Sequence, residues 1–184
     1  MLVLAGLPAW LMAYSSHEQD KVVSGLFDSL GWPTNGSCVE FGYKGEGDSN
    51  SQLFRERHQW SCLLMDGSDR SIKMSPTHLQ VKKEFITSEN IAQLFHKYRV
   101  PTTVDYVSID LDSTDIWILR TLLESEFRPR VVTIEYNSNY PAGRPICFPN
   151  PAWEQLNNET AFWDSRGHYS GSSASAIEAA ARER

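Results

Sequence analysis

The feature that most constrains this chain is an alternation. Short apolar runs closing on an acid or a glycine take turns with segments whose apolar residues recur every three or four positions. The runs are Cys38-Val39-Glu40-Phe41-Gly42, Trp60-Ser61-Cys62-Leu63-Leu64-Met65 before Asp66-Gly67, residues 104–111 (VDYVSIDL) and residues 130–136 (RVVTIEY). Their length and β-branched content read as strands buried on both faces, and a weaker strand is expected at Glu84-Phe85-Ile86-Thr87. Between them, Val22, Val23, Leu26, Phe27 and Leu30 keep helical spacing until Gly31-Trp32-Pro33, and residues 53–58 read as a short helix. Ser88 is placed to cap a helix carrying Ile91, Leu94, Phe95 and Tyr98, residues 115–124 are helical, and Ser172 opens an Ala-rich helix. The polar stretch 68–83 and the proline-bearing stretch 140–169 read as irregular. Strands alternating with helices predict one α/β domain, a mostly parallel sheet with helices on both faces.

In an open parallel sheet, ligands bind beyond the carboxyl ends of the strands, near the point where strand order reverses. Here the expected strand ends are polar: Glu40 and Gly42, Asp66 and Gly67, Asp110 and Asp112, Glu135 and Asn137. The loop Gly42-Tyr43-Lys44-Gly45-Glu46-Gly47 would let a backbone approach a nucleotide closely, but Glu46 and Asp48 would repel a pyrophosphate. A nucleoside without phosphates fits better. Asp66, one strand later, is positioned to accept hydrogen bonds from both hydroxyls of a ribose, against the alternative of a plain Asp-Gly turn.

The densest acidic cluster is Asp110-Leu111-Asp112-Ser113-Thr114-Asp115. As DxDxT it resembles the phosphorylated-aspartate motif of haloacid dehalogenase-type phosphatases, which needs a downstream lysine, and none follows Lys97. As DxD it would serve a metal-dependent glycosyltransferase. As a strand end in a nucleoside-binding sheet it supplies acids near the reacting centre, with Asp115 capping the next helix. Glu135 and Asn137, alternate residues, point to one side and with Asp110 or Asp112 would offer oxygen ligands to Mg²⁺. The alternative is an ordinary turn at Asn137, with Glu135 paired to Arg130 or Arg144. His168 lies in a Gly-flanked loop that would fold over the crevice or stay solvated.

Seventeen Lys and Arg against twenty-three Asp and Glu, a net charge of -6, argue against nucleic acid as partner. The three cysteines, Cys38, Cys62 and Cys147, show no metal-binding spacing and read as reduced, structural thiols.

The strings VEFG, SNS, LLMDG, DYVSIDLDSTDIWIL, PRVVTIEYN and GSSASAIEAAARER resemble, in that order, the FkbM-like family of class I S-adenosylmethionine-dependent methyltransferases. The resemblance covers residues 14–184 and implies a Rossmann-like methyltransferase fold. Glu40, Gly42 and Tyr43 would then lie at the methionine end of S-adenosylmethionine, Asp66 and Gly67 at its ribose, and Asp110 beside its amino-acid portion. Asp112, Glu135 and Asn137 would face a small-molecule acceptor, with Asp112 or Glu135 as base, directly or through a metal. The activity implied is O-methylation of a small hydroxylated, sugar-like acceptor, and the alternative is a relative that keeps the fold without turnover. Two departures stand out. Residues 43–48 read Tyr-Lys-Gly-Glu-Gly-Asp where such proteins commonly have a small residue and then Asp-Gly, and the chain stops in the helix after Ser172, where the family continues into a last antiparallel strand pair, so a domain lacking its last strands is expected.

Residues 1–13 fall outside the resemblance. Residues 1–14 are apolar and uncharged yet short of the about 20 residues of a bilayer span, so no transmembrane helix is expected. A cleaved secretory signal stands against a buried N-terminal segment, since no Lys or Arg precedes the run and Pro8 interrupts it. The reading is accordingly cytoplasmic, with the secretory pathway as its alternative.

Overall fold

The computed structural model describes residues 19–111, 114–150 and 171–183. Its elements, in chain order, are α1 (Gln19–Leu30), β1 (Ser37–Phe41), α2 (Gln52–Arg57), β2 (Ser61–Asp66), α3 (Asp69–Met74), β3 (Lys82–Lys83), α4 (Ile91–Lys97), β4 (Tyr106–Ile109), α5 (Asp115–Glu124), β5 (Val131–Ile134) and α6 (Ala174–Arg182). The five strands form one all-parallel sheet in the order β3-β2-β1-β4-β5, an α/β Rossmann-like arrangement.

The side-chain period of two sorts the strand residues between two cores. Val39, Phe41, Met65, Val107, Ile109 and Ile134 face α4, α5 and α6, whose Ile91, Leu94, Phe95, Ile116, Ile118, Leu119, Leu122, Ile177 and Ala180 complete the larger core. On the opposite face Cys38, Tyr106 and Val131 meet Val23 and Phe27 of α1, Phe54 of α2 and Trp60. This second core is aromatic: the Trp60 ring lies 5.0 Å from Phe27 edge-on and 4.9 Å from Phe54 in a stack. A Cβ on Gly36 would come within 2.1 Å of the Trp60 indole, so this ring occupies the space a side chain there would need.

At the N-terminal edge of the sheet, Asp105 accepts from the Ser37 amide (2.9 Å) and from Arg130 Nη1 (3.0 Å). Arg130 Nη2 donates to the Leu30 and Gly31 carbonyls at 3.1 and 2.9 Å, which fastens the end of α1 to β5. Arg130 therefore belongs to the end of the sheet opposite Glu135, and the pairing of the two considered from sequence does not form.

Four sequence expectations need correction. The cysteines are not all reduced: Cys38 and Cys62 are in register on neighbouring strands, Cα atoms 4.4 Å apart, and form a disulfide, while Cys147 is free. A separation of 24 residues carries no sign of this, because only sheet pairing brings the two together. The third strand lies at Lys82–Lys83, two residues before the expected run, since it pairs with Met65 and Asp66 at the end of β2. After Glu84 N donates to Asp66 O (3.1 Å) the chain leaves the sheet, and Ile86 turns into the core. The polar stretch before it holds α3, whose N-cap Ser68 accepts from the Arg70 amide at 3.1 Å, and a 3₁₀ turn at Thr77–Leu79. Finally, Asn90 and not Ser88 precedes α4; its Oδ1 accepts from the Thr87 amide (2.8 Å), so the chain makes a turn where a first helical turn was expected.

Downstream of β5, an antiparallel bridge joins Cys147 and Ser172, and Asn137 N donates to Ser172 O at 2.8 Å. Ser173 is the N-cap of α6, accepting from the Ala176 amide (3.1 Å), one residue after the expected start.

Candidate functional site

β1 lies between β2 and β4, and the chain crosses to one side of it for β2 and to the other for β4. That makes the carboxyl end of β1 the switch point of the sheet, where two crossovers diverge and leave a crevice. Gly42 occupies this point. Its φ is +72°, and a Cβ there would sit 1.7 Å from the Asp110 carbonyl oxygen at the end of β4. Both facts demand glycine: the backbone turns left-handed, and β4 closes against it. The Gly42 and Tyr43 amides both donate to Met65 O, at 3.1 and 3.4 Å, so the loop leaves across the end of β2.

The loop is held by a chain of polar contacts. Glu40, on the α1 side of β1 and 2% exposed, accepts from Ser49 Oγ (2.7 Å), Asn50 N (2.9 Å), Ser51 N (3.1 Å) and Ser51 Oγ. Asn50 Nδ2 donates onward to Ser108 Oγ of β4 (2.9 Å). Arg55 of α2 donates to Ser49 Oγ (3.0 Å) and Glu46 (2.8 Å), and the buried Tyr43 hydroxyl donates to the same Glu46 oxygen at 2.8 Å. Burial pushes the Glu40 carboxyl above its ordinary range, against the pull of its serine and amide donors. Burial and the bond to Glu46 likewise raise the Tyr43 phenol. Both Glu40 oxygens are engaged, so this acid acts on the crevice by shaping the loop from below.

What remains open lies above. Nothing approaches within 4 Å of a Cβ placed on Gly45 or Gly47. Lys44 Nζ stands 3.7 Å from Asp110 Oδ1. Asp66 ends β2 half-exposed, with Oδ1 accepting the Ser68 amide (2.6 Å); the Asp-Gly turn considered from sequence is thus present, and it uses one of the two carboxylate oxygens. Gly67 follows, with the Phe85 ring 3.4 Å from where its Cβ would be.

Asp110 continues β4 at its carboxyl end. The buried Asp115, the first residue of α5, accepts the Leu111 amide at 2.8 Å. Asp112, the expected base and metal ligand, lies outside the described residues, as does His168. Glu135 follows β5, its amide donating to Ile109 O (3.0 Å), and Asn137 Oδ1 accepts the Asn139 amide (2.9 Å) in the ordinary turn foreseen as the alternative. Among the described residues, no three His, Cys, Asp or Glu side chains gather closely enough to hold a metal ion. Glu40, Asp66, Asp110 and Glu135 therefore stand at the ends of adjoining strands, but Glu40 faces the opposite way from a crevice ligand, into the loop's underside.

Arg55, Ser49 and Ser51 are the residues that sequence reasoning gave no role. Their signal was the small polar run Ser49-Asn50-Ser51 directly before a helix, a set of donors awaiting an acceptor. No family model, no curated protein and no solved structure matches the chain.

Proposed function

We propose that this chain is an S-adenosylmethionine-dependent methyltransferase of the FkbM-like kind, acting on a hydroxyl of a small, sugar-like acceptor. The observation that carries the reading is a pairing at the switch point: an open glycine loop leaves β1 beside a half-exposed carboxylate, Asp66, at the end of the adjacent strand. The residues suit the cofactor. The open space over Gly45 and Gly47 is compatible with a nucleoside beside the loop, and Glu46 and Asp48 within the loop disfavour a pyrophosphate. Asp66, with one oxygen on the Ser68 amide, can receive ribose hydroxyls, and Asp110 suits the cationic tail.

When bound, S-adenosylmethionine supplies an already activated methyl group. The work left to the protein is alignment, exclusion of water and removal of the acceptor's proton. Gly42 and the Glu40 network hold the loop in one shape. Asp112 or Glu135 is assigned as base, and no step is routed through a metal ion. A second reading, a fold that binds without turnover, draws on the commitment of both Glu40 oxygens to the loop.

Titration calorimetry with S-adenosylmethionine and its demethylated product tests the proposal. Micromolar binding is expected, weakened about 100-fold by Asp66→Asn, which keeps the acceptor for the Ser68 amide and removes the charge that ribose hydroxyls would meet. No heat with either ligand would sink the reading. Binding without methyl transfer to any hydroxylated acceptor would favour the second.

A further inference from the structure

From residue 67 to residue 85 no side chain is buried, although the segment contains α3, the 3₁₀ turn and β3. Such an excursion contributes little to the core. Its composition also departs from the rest of the chain: four Lys and Arg against two acids, in a protein of net charge -6. Both acids are neutralised at home. Asp69 binds Lys83 (2.5 Å), which ties α3 to β3, and Glu84 binds Lys97 (2.5 Å) and the Tyr98 hydroxyl. Arg70, Lys73 and Lys82 have no acidic partner among the described residues.

Arg70, Lys73 and Met74 are three and four positions apart, on the outward side of α3, while Ser71 and Ile72 are half-buried. Met74 is 66% exposed and Phe85 80%, the two most exposed large apolar side chains among the described residues. Exposed apolar groups in the same segment as unneutralised cations, with α3 and β3 tied by the Asp69–Lys83 pair, match an interface that is anionic at its surface and apolar just beneath it, and that yields around a side chain. A strand-adding peptide is a poorer fit, because the edge strand has two residues and both are lysine.

We propose that the α3–β3 excursion docks the protein on an anionic lipid bilayer, with Arg70, Lys73 and Lys82 at the headgroups and Met74 and Phe85 inserted between them. The inference does not depend on what the crevice binds. It orients the carboxyl end of β2, and with it Asp66, toward the bilayer, which would favour acceptors presented at a membrane surface.

The test is co-sedimentation of the whole chain with phosphatidylcholine vesicles, with and without 30% phosphatidylserine. The result expected is binding to the anionic vesicles only, falling as salt rises. Arg70→Glu with Lys73→Glu should weaken it at least about 25-fold, taking about fivefold for each cation lost. Met74→Ser should weaken it while leaving the salt dependence in place. Arg99→Glu, an exposed cation at the end of α4, should leave it unchanged, and circular dichroism melts would show each variant folded. No binding, equal binding to both vesicle types, or capture on polyglutamate without vesicle binding would overturn the proposal.

Discussion

Reduction of the Cys38–Cys62 bridge offers a perturbation whose size follows from the structure. The bond joins neighbouring parallel strands across a separation of 24 residues, and that closed loop contains the glycine loop and α2. In the chain-entropy account, constraining a loop of this length in the unfolded chain contributes about 3.5 kcal/mol at 25 °C. For a chain of this size each kcal/mol moves the melting temperature by about 2–4 °C, so the expected loss is about 7–14 °C. The assay is thermal unfolding by circular dichroism with and without a phosphine reductant, the redox state at each end confirmed by alkylation and mass. The Cys38→Ala/Cys62→Ala double variant should melt near the reduced wild type and should no longer respond to reductant, although Cys147 is still present. If fully reduced wild type melts where the oxidised protein does, the cross-link does not constrain the unfolded chain, and the reasoning fails. Because such bonds persist in oxidising compartments, the same result would bear on where the chain matures.

Three further outcomes are expected. Gly42→Ala combines a left-handed backbone with a Cβ lodged 1.7 Å from the Asp110 carbonyl; it should cost about 3 kcal/mol or more in urea unfolding, and a change under 1 would contradict the packing described. Arg130→Met removes the partner of the largely buried Asp105 and the donor to the end of α1, and should cost about 2 kcal/mol, read as a lowered urea midpoint. Glu40 titrates above its ordinary range in the folded protein, so the folded state holds its proton more tightly than the unfolded one. Its contribution is fully present below the unfolded value and is lost as pH rises through the folded one. Glu40→Gln should abolish that part of the pH slope, and should also cost about 1–3 kcal/mol, because its amide nitrogen faces the amide donors of Asn50 or Ser51; an unchanged slope would show that another group is responsible.

What could be read from sequence was whatever depends on near neighbours. Apolar runs of strand length and the helical spacing of residues 115–124 specify local structure, and the α5 bounds agree with the expectation residue for residue. Strands alternating with helices bring the parallel sheet with them, since a parallel connection needs a crossover. The same logic put Gly42, Asp66, Asp110 and Glu135 at strand ends. β3 shows the limit: Lys82 and Lys83 carry no apolar pattern, and they form a strand because the end of β2 offers them partners.

Composition and pattern alone determined an α/β chain with acids at the carboxyl ends of its strands. Tertiary structure decided which way those acids face and what they meet. It turned Glu40 beneath the loop onto Ser49, Asn50 and Ser51, set the Asp110 carbonyl against Gly42, and brought Cys62 beside Cys38. Each of these joins residues from different elements, and the register that aligns them is a property of the assembled sheet. Periodicity reports which residues are buried along one element; only pairing between elements determines which buried groups meet.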